Sequence, residues 1–174
     1  MSCKSLNISL SASLNKGGFA YLCPSAVNLP MASLTTDTAR PGLRVGDRLT
    51  GEDGALTVRS VAWLPEGPGD SSRPLYLLEA LANMESGSGS FEVSRTGYAL
   101  AWITLSDKGA RGERVDESGP LVGRLVGEVL ELNNVQGFVI PDETAQLKGL
   151  LTDLALNQRF DLILTTGGTG VAPR

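Results

Sequence analysis

From Tyr98 onward, apolar and polar positions come in blocks that predict a βαβαβ order. Tyr98 to Leu105 is an apolar run of strand length. Ser106 to Asp116 is a polar loop containing Gly109 and Gly112. Ser118-Gly119-Pro120 starts a helix: Ser118 can cap it, and Pro120 sits in the first turn, where its missing N–H costs nothing. Leu121, Val122, Leu125, Val126, Val129 and Leu130 then recur at helical spacing until Asn133-Asn134, which ends the helix. Gly137 to Ile140 is a short second strand. Pro141-Asp142-Glu143 opens a second helix with Leu147, Leu150, Leu151 and Leu154 on one face, and Phe160 to Thr165 is a third strand. Apolar strands joined by helices predict a parallel sheet inside an α/β layer fold, with right-handed crossovers.

The preceding stretch is patterned differently. Leu43 to Leu49 alternates loosely, Asp53-Gly54 is a turn signal, and Ala55 to Leu64 alternates again. Residues 65–74 are a Gly/Pro/Ser-rich loop, and Leu75 to Leu81 is a further apolar run with strand or short-helix character. The first forty residues are Ser-rich and weakly patterned. Residues 1–90 therefore read as a small, mostly β module with a structural or interaction role. Ser86-Gly87-Ser88-Gly89-Ser90 is either a hairpin loop or a flexible linker to the second domain, residues 91–174, and the change of pattern just after it favours the linker.

Composition removes several function classes. A net charge of -4 leaves no basic footprint for nucleic acid. No apolar run approaches the ~20 residues of a membrane span, and the N-terminus lacks a signal-peptide pattern. Cys3 and Cys23 are the two cysteines, without a CxxC, which fits a reducing cytoplasm. There is no histidine, so His-based acid–base chemistry, Ser–His triads and most zinc sites are excluded. A metal here would be held by carboxylates, phosphates and water, which points to magnesium.

In parallel α/β sheets, ligands bind beyond the carboxyl ends of the strands. Three polar segments fall there: Ser106-Asp107, Asp142, and Thr165 to Gly170. If the first and third strands are neighbours, the three converge on one crevice. Gly167, Gly168 and Gly170 allow backbone N–H groups to approach an anion, joined by the hydroxyls of Thr165, Thr166 and Thr169. Asp142 can hold magnesium bridging phosphates. Each segment also has a plainer reading: a glycine turn is most often only a turn, Asp142 and Ser118 suit N-caps, and Asp107 and Asp116 suit solvated loops.

Ile103-Thr104-Leu105-Ser106-Asp107, Asp116-Glu117-Ser118-Gly119-Pro120, Ile140-Pro141-Asp142-Glu143 and Asp161 through Gly170 with Pro173-Arg174 stand in register. Together they resemble the MoaB/MogA family of molybdenum cofactor biosynthesis and the G domain of gephyrin. The resemblance covers roughly Ala99 to Arg174 and implies a three-layer α/β/α domain with a mostly parallel sheet. It implies binding of molybdopterin and Mg-ATP, adenylylation of the pterin phosphate and release of pyrophosphate. By the resemblance, Asp142 falls on a catalytic and magnesium-site aspartate. Thr166, Gly167, Gly168, Thr169 and Gly170 fall on the phosphate loop, and Ser106, Asp107, Ser118 and Gly119 on segments lining the pterin side. A MoeA-like molybdate-inserting partner and a homo-oligomer, usually a trimer, are also implied, with a cytoplasmic location and neither membrane nor nucleic acid involved.

The family pattern continues past Pro-Arg with an Asp that is a second functional carboxylate. The expectation is therefore a copy truncated after the glycine-rich loop, with little turnover by the chain alone. A non-catalytic molybdopterin-binding or scaffold protein is the alternative.

Overall fold

The structure, a computed structural model, describes residues 4–10, 14, 16–17, 19–22, 33–36, 42–64 and 73–168. The chain divides into two compact units, Met1–Arg95 and Thr96–Arg174.

Among the described residues, the first unit holds seven strands: β1 (Lys4–Leu10), β2 (Phe19–Leu22), β3 (Ser33–Thr36), β4 (Arg48–Gly51), β5 (Gly54–Leu64), β6 (Arg73–Ala80) and β7 (Gly87–Ser94). They close into a barrel in the order β1-β3-β2-β6-β5-β4-β7. Among the described residues, closure pairs each strand with a neighbour on both sides. Alternate residues point inward, so Leu6, Ile8, Leu49, Leu56, Val58, Tyr76, Leu78 and Phe91 are buried. Asp47 is buried with them. It ion-pairs with Arg95, whose Nη1 stands 2.9 Å from Asp47 Oδ1 and also donates to the Val45 carbonyl at 2.7 Å. A buried carboxylate needs such partners, and these two tie the loop before β4 to the end of β7.

The reading of Ser86 to Ser90 as a linker is corrected here. Gly87 to Ser90 open β7 and pair residue by residue with β1, from Ser90↔Asn7 to Gly87↔Leu10. The ladder is made by backbone, which a Gly/Ser composition leaves intact. The run at Leu75 to Leu81 is strand β6, and the stretch before Leu49 is a turn rather than a strand until Arg48.

In the second unit the elements are β8 (Tyr98–Leu105), α1 (Asp107–Ala110), α2 (Ser118–Gly127), β9 (Leu132–Ile140), α3 (Thr144–Thr152) and β10 (Leu162–Gly167). A π-helical turn, Asp153–Asn157, prolongs α3 and buries Leu154. The three strands form one sheet in the order β10-β8-β9, and both pairings are parallel. Ala99, Leu100, Ala101 and Ile103 of the central strand are fully buried, as expected for a strand flanked on both sides.

Three features differ from the sequence pattern. Asn133-Asn134 do not end a helix. They belong to β9, where Asn134 is buried opposite Ala99 and the ladder slips between Tyr98 and Ala99. The polar loop after β8 contains the one-turn helix α1, capped by Ser106 Oγ accepting from Gly109 N–H. On α2, Leu121 and Leu125 face outward, 44% and 50% exposed, while Val122 and Val126 lie half-buried. The apolar positions of that helix therefore divide between two faces.

Candidate functional site

The parallel order puts the carboxyl ends of β9, β8 and β10 side by side. Ser106 follows β8, Asp142 follows β9, and Gly167 ends β10. The Ser106 N–H donates to the Ile140 carbonyl at 2.9 Å, and the Gly168 N–H donates to the Leu105 carbonyl at 3.3 Å. The Asp142 N–H donates to Asp107 Oδ1 at 3.1 Å, which joins the β8 and β9 loops. All three predicted polar segments therefore meet at one end of the sheet.

Two glycines make this approach possible. Gly167 has φ +88° and Gly168 φ +70°, the left-handed region that favours glycine. A side chain on Gly167 would run into the Leu105 backbone. One on Gly168 would stand 3.1 Å from Leu105 Cδ1 and 3.5 Å from Asp142 Oδ1. The Asp142 carboxylate thus faces the glycine turn directly.

Two cavities open over these strand ends. The first, of about 330 Å³, is lined by Thr104, Val115, Asp116, Ser118, Val139 and Gly167 among others. The second, of about 350 Å³, is lined by Asp107, Lys108, Arg111 and Asp142 among others. Leu105, Ser106, Arg114 and Gly168 line both, so the cavities share a wall. Of the predicted residues, Thr166 and Gly119 line neither cavity. Thr169 and Gly170 lie outside the described residues.

Gly119 instead packs on Trp102. A side chain on Gly119 or on Gly137 of β9 would overlap the Trp102 indole, and one on Gly123 would stand 2.6 Å from it. Three glycines from two elements thus make the space for one ring, which lies two residues along β8 from Thr104.

The cap of α2 is a further correction. Ser118 is the first helical residue and its N–H is a donor, not the cap. Asp116 Oδ1 accepts from the N–H groups of Ser118 and Gly119, both at 3.1 Å, while Oδ2 accepts from the Thr104 hydroxyl at 2.9 Å. Asp116 is therefore no solvated loop carboxylate. It neutralises the positive end of α2 and ties that end to β8. Asp142 stands one residue before Glu143, the N-cap of α3.

The charged rim was not read from the sequence. Lys108, Arg111 and Arg114 lie within one seven-residue stretch and all line the second cavity. Arg111 is engaged by Glu113, with Nε to Oε1 at 2.8 Å and Nη2 to Oε2 at 3.2 Å. That hydrogen bond holds the Glu113 carboxyl below its ordinary range and the Arg111 guanidinium above its own. Arg114 makes no hydrogen bond or ion pair among the described residues.

Magnesium can be tested against this donor set. Among the described residues, no group of three or more Asp, Glu, Cys or His side chains could hold a metal. Asp142 and the adjoining Asp107 offer hard oxygen atoms at the crevice. One or two carboxylates completed by water and substrate phosphates is an ordinary magnesium environment, so the residues fit a metal that arrives with a phosphate ligand.

Fold and crevice define an α/β domain with a polar crevice over the carboxyl ends of its parallel strands. Residues 101–174 match the family model described as "Probable molybdopterin binding domain". This stretch of the chain is similar to the MoaB/MogA family of molybdenum cofactor biosynthesis. It is 40% identical over 77 residues to a molybdopterin adenylyltransferase of Pyrococcus furiosus, covering 44% of each protein. It is 38% identical over 72 residues to the Drosophila melanogaster molybdenum cofactor synthesis protein cinnamon, covering 41% of this chain and 12% of that one. Gephyrin of Dictyostelium discoideum is 33% identical over 86 residues, 44% of this chain and 12% of that protein. The chain thus spans less than half the length of these relatives. Among the described residues, no helix is long and apolar enough to cross a membrane.

Proposed function

We propose that the second unit binds molybdopterin and Mg-ATP and that the protein adenylylates molybdopterin. The observation that carries this reading is the meeting of Ser106-Asp107, Asp142 and the Gly167-Gly168 turn over three adjacent parallel strands. The match of residues 101–174 and the name of the Pyrococcus furiosus relative support it.

In the proposed reaction an oxygen of the pterin's terminal phosphate attacks the α-phosphorus of ATP. A phosphoanhydride bond forms as the α–β bond breaks, and pyrophosphate leaves with the bonding pair. A phosphate monoester is already anionic near neutral pH, so no histidine base is needed. Such transfer depends on positioning and on spreading negative charge. Asp142, with Asp107 beside it, would hold magnesium, which neutralises phosphate oxygens when bound. The Gly167-Gly168 turn would let phosphate approach the backbone closely, while Thr166, Thr169 and Gly170 are assigned to the same loop by the family resemblance; the Gly168 N–H itself is engaged by the Leu105 carbonyl. Ser106 and Ser118 offer hydroxyls to the pterin side. Gly119 acts at one remove, by letting α2 sit against Trp102. Passage of the product to a MoeA-like protein, assembly as a homo-oligomer and a cytoplasmic location belong to the same proposal.

The test is to incubate the protein with molybdopterin and Mg-ATP, then separate bound pterin and look for its adenylylated form. Retained molybdopterin with product supports the reading. Retention without product leaves a binding or scaffold protein. Failure to retain molybdopterin at all removes the functional assignment.

A further inference from the structure

The chain carries a net charge of -4, yet three basic residues gather at the second cavity: Lys108, Arg111 and Arg114. They are not equivalent. Arg111 is held by both oxygens of Glu113, so its charge is largely answered before any ligand arrives. Lys108 lines the second cavity alone. Arg114 lines both cavities and has no partner among the described residues. It is the cationic side chain on the wall that the two cavities share, beside Ser106 and Gly168. Ser118 and Gly119 N–H groups at the end of α2 are already taken by Asp116, so that helix end offers an anion little. An unpaired guanidinium presents planar, paired donors suited to two phosphate oxygens.

We infer that Arg114 is the specificity-determining residue for a ligand with linked phosphates, gripping it where the two cavities join. This rests on the phosphate-ligand reading of the site and adds to it a named residue and a ligand class, the oligophosphates. A phosphate held there lies beside the Gly168 turn and in reach of a metal at Asp142. Arg111 contributes less, because a ligand must first displace Glu113.

The experiment is calorimetric titration of the 174-residue chain with inorganic pyrophosphate, with and without magnesium, alongside R114Q, R114K and R111Q. R114Q is expected to weaken binding by about tenfold or more, the scale of a hydrogen bond to a charged group. R114K keeps the charge but loses the fork, and falls between. R111Q should change affinity by less than R114Q. Arg114 is exposed, so far-ultraviolet circular dichroism should show all variants folded. Equal affinities for wild type and R114Q overturn the inference, as does no pyrophosphate binding by the wild type or a larger loss in R111Q. The two readings fail separately. Molybdopterin retained with R114Q unaffected sinks this inference alone, whereas Arg114-dependent pyrophosphate binding without molybdopterin retention sinks only the cofactor assignment.

Discussion

The indole of Trp102 fills the space that a side chain on Gly119 would need. Strand β8 and helix α2 can approach this closely because the helix presents Gly119 and Gly123 to the ring, while β9 presents Gly137. The approach sets where α2 begins, and α2 begins at the wall of the first cavity. A glycine quoted among the ligand-binding residues therefore acts by packing.

Gly119→Ala should destabilise the second unit by about 1–3 kcal/mol, the usual cost of overpacking. Trp102→Leu makes room, so the same alanine should cost clearly less in that background. Urea unfolding of the two single variants and the double variant measures the coupling. Strict additivity would show that the ring is not what excludes the side chain.

Asp116 offers a sharper distinction between structural and chemical roles. Its two oxygens take three hydrogen bonds, from Thr104, Ser118 and Gly119. Asp116→Ala should cost about 1–2 kcal/mol, the range for a lost cap. Asn retains an oxygen for the two N–H groups, and the Thr104 hydroxyl can turn to accept from its amide. Asp116→Asn should therefore lose well under half of that stability and keep ligand affinity near wild type. If Asn proved as harmful as Ala to pyrophosphate binding while leaving the melting temperature intact, Asp116 would be a ligand residue.

The glycine turn predicts a contrast between two glycines. Gly168→Val meets φ +70° and Leu105 Cδ1 at 3.1 Å, so it should lower stability by about 1–2 kcal/mol and weaken phosphate binding. Gly149→Ala, on the exposed face of α3 with nothing within 4 Å, should raise stability by up to about 1 kcal/mol and leave binding alone. Thermal melts with and without pyrophosphate separate the two. A destabilised Gly149→Ala would mean that α3 is packed more tightly than its surface suggests.

The sequence made the second unit legible where local pattern and tertiary role agree. The apolar run Tyr98–Leu105, the two longer helices and the glycine turn each announce themselves, and parallel order follows from their alternation. Asp142 could be placed at a strand end because Pro141 and Glu143 frame a strand-to-helix junction. The failures share a cause: composition describes a residue, not its partner. Gly87 to Ser90 look like a linker, yet the Asn7 to Leu10 backbone makes them a strand. Asn133 and Asn134 look like a helix stop, yet Asn134 is buried in β9. The Trp102 packing joins positions 119, 123 and 137, which no window spans. Lys108, Arg111 and Arg114 vanish in a net charge that averages over both units.

Asp142 carries the strongest chemical claim. Its Oδ1 faces the Gly168 turn, and its own N–H is held by Asp107, so the carboxylate is aimed where phosphate is proposed to lie. Asp142→Asn keeps the size and much of the polarity while removing the charge. In protein that adenylylates molybdopterin, this substitution should reduce the rate by roughly 10²-fold or more, the scale for removing a group that stabilises transition-state charge. Folding should hardly change, because Asn serves near a helix start about as well as Asp. Excess magnesium should not restore the rate, whereas Asp142→Glu, which keeps the charge on a longer arm, should recover part of it. Single-turnover rates of adenylylated pterin formation against magnesium concentration make the comparison. A wild-type rate in Asp142→Asn would return this residue to the ordinary role of starting α3.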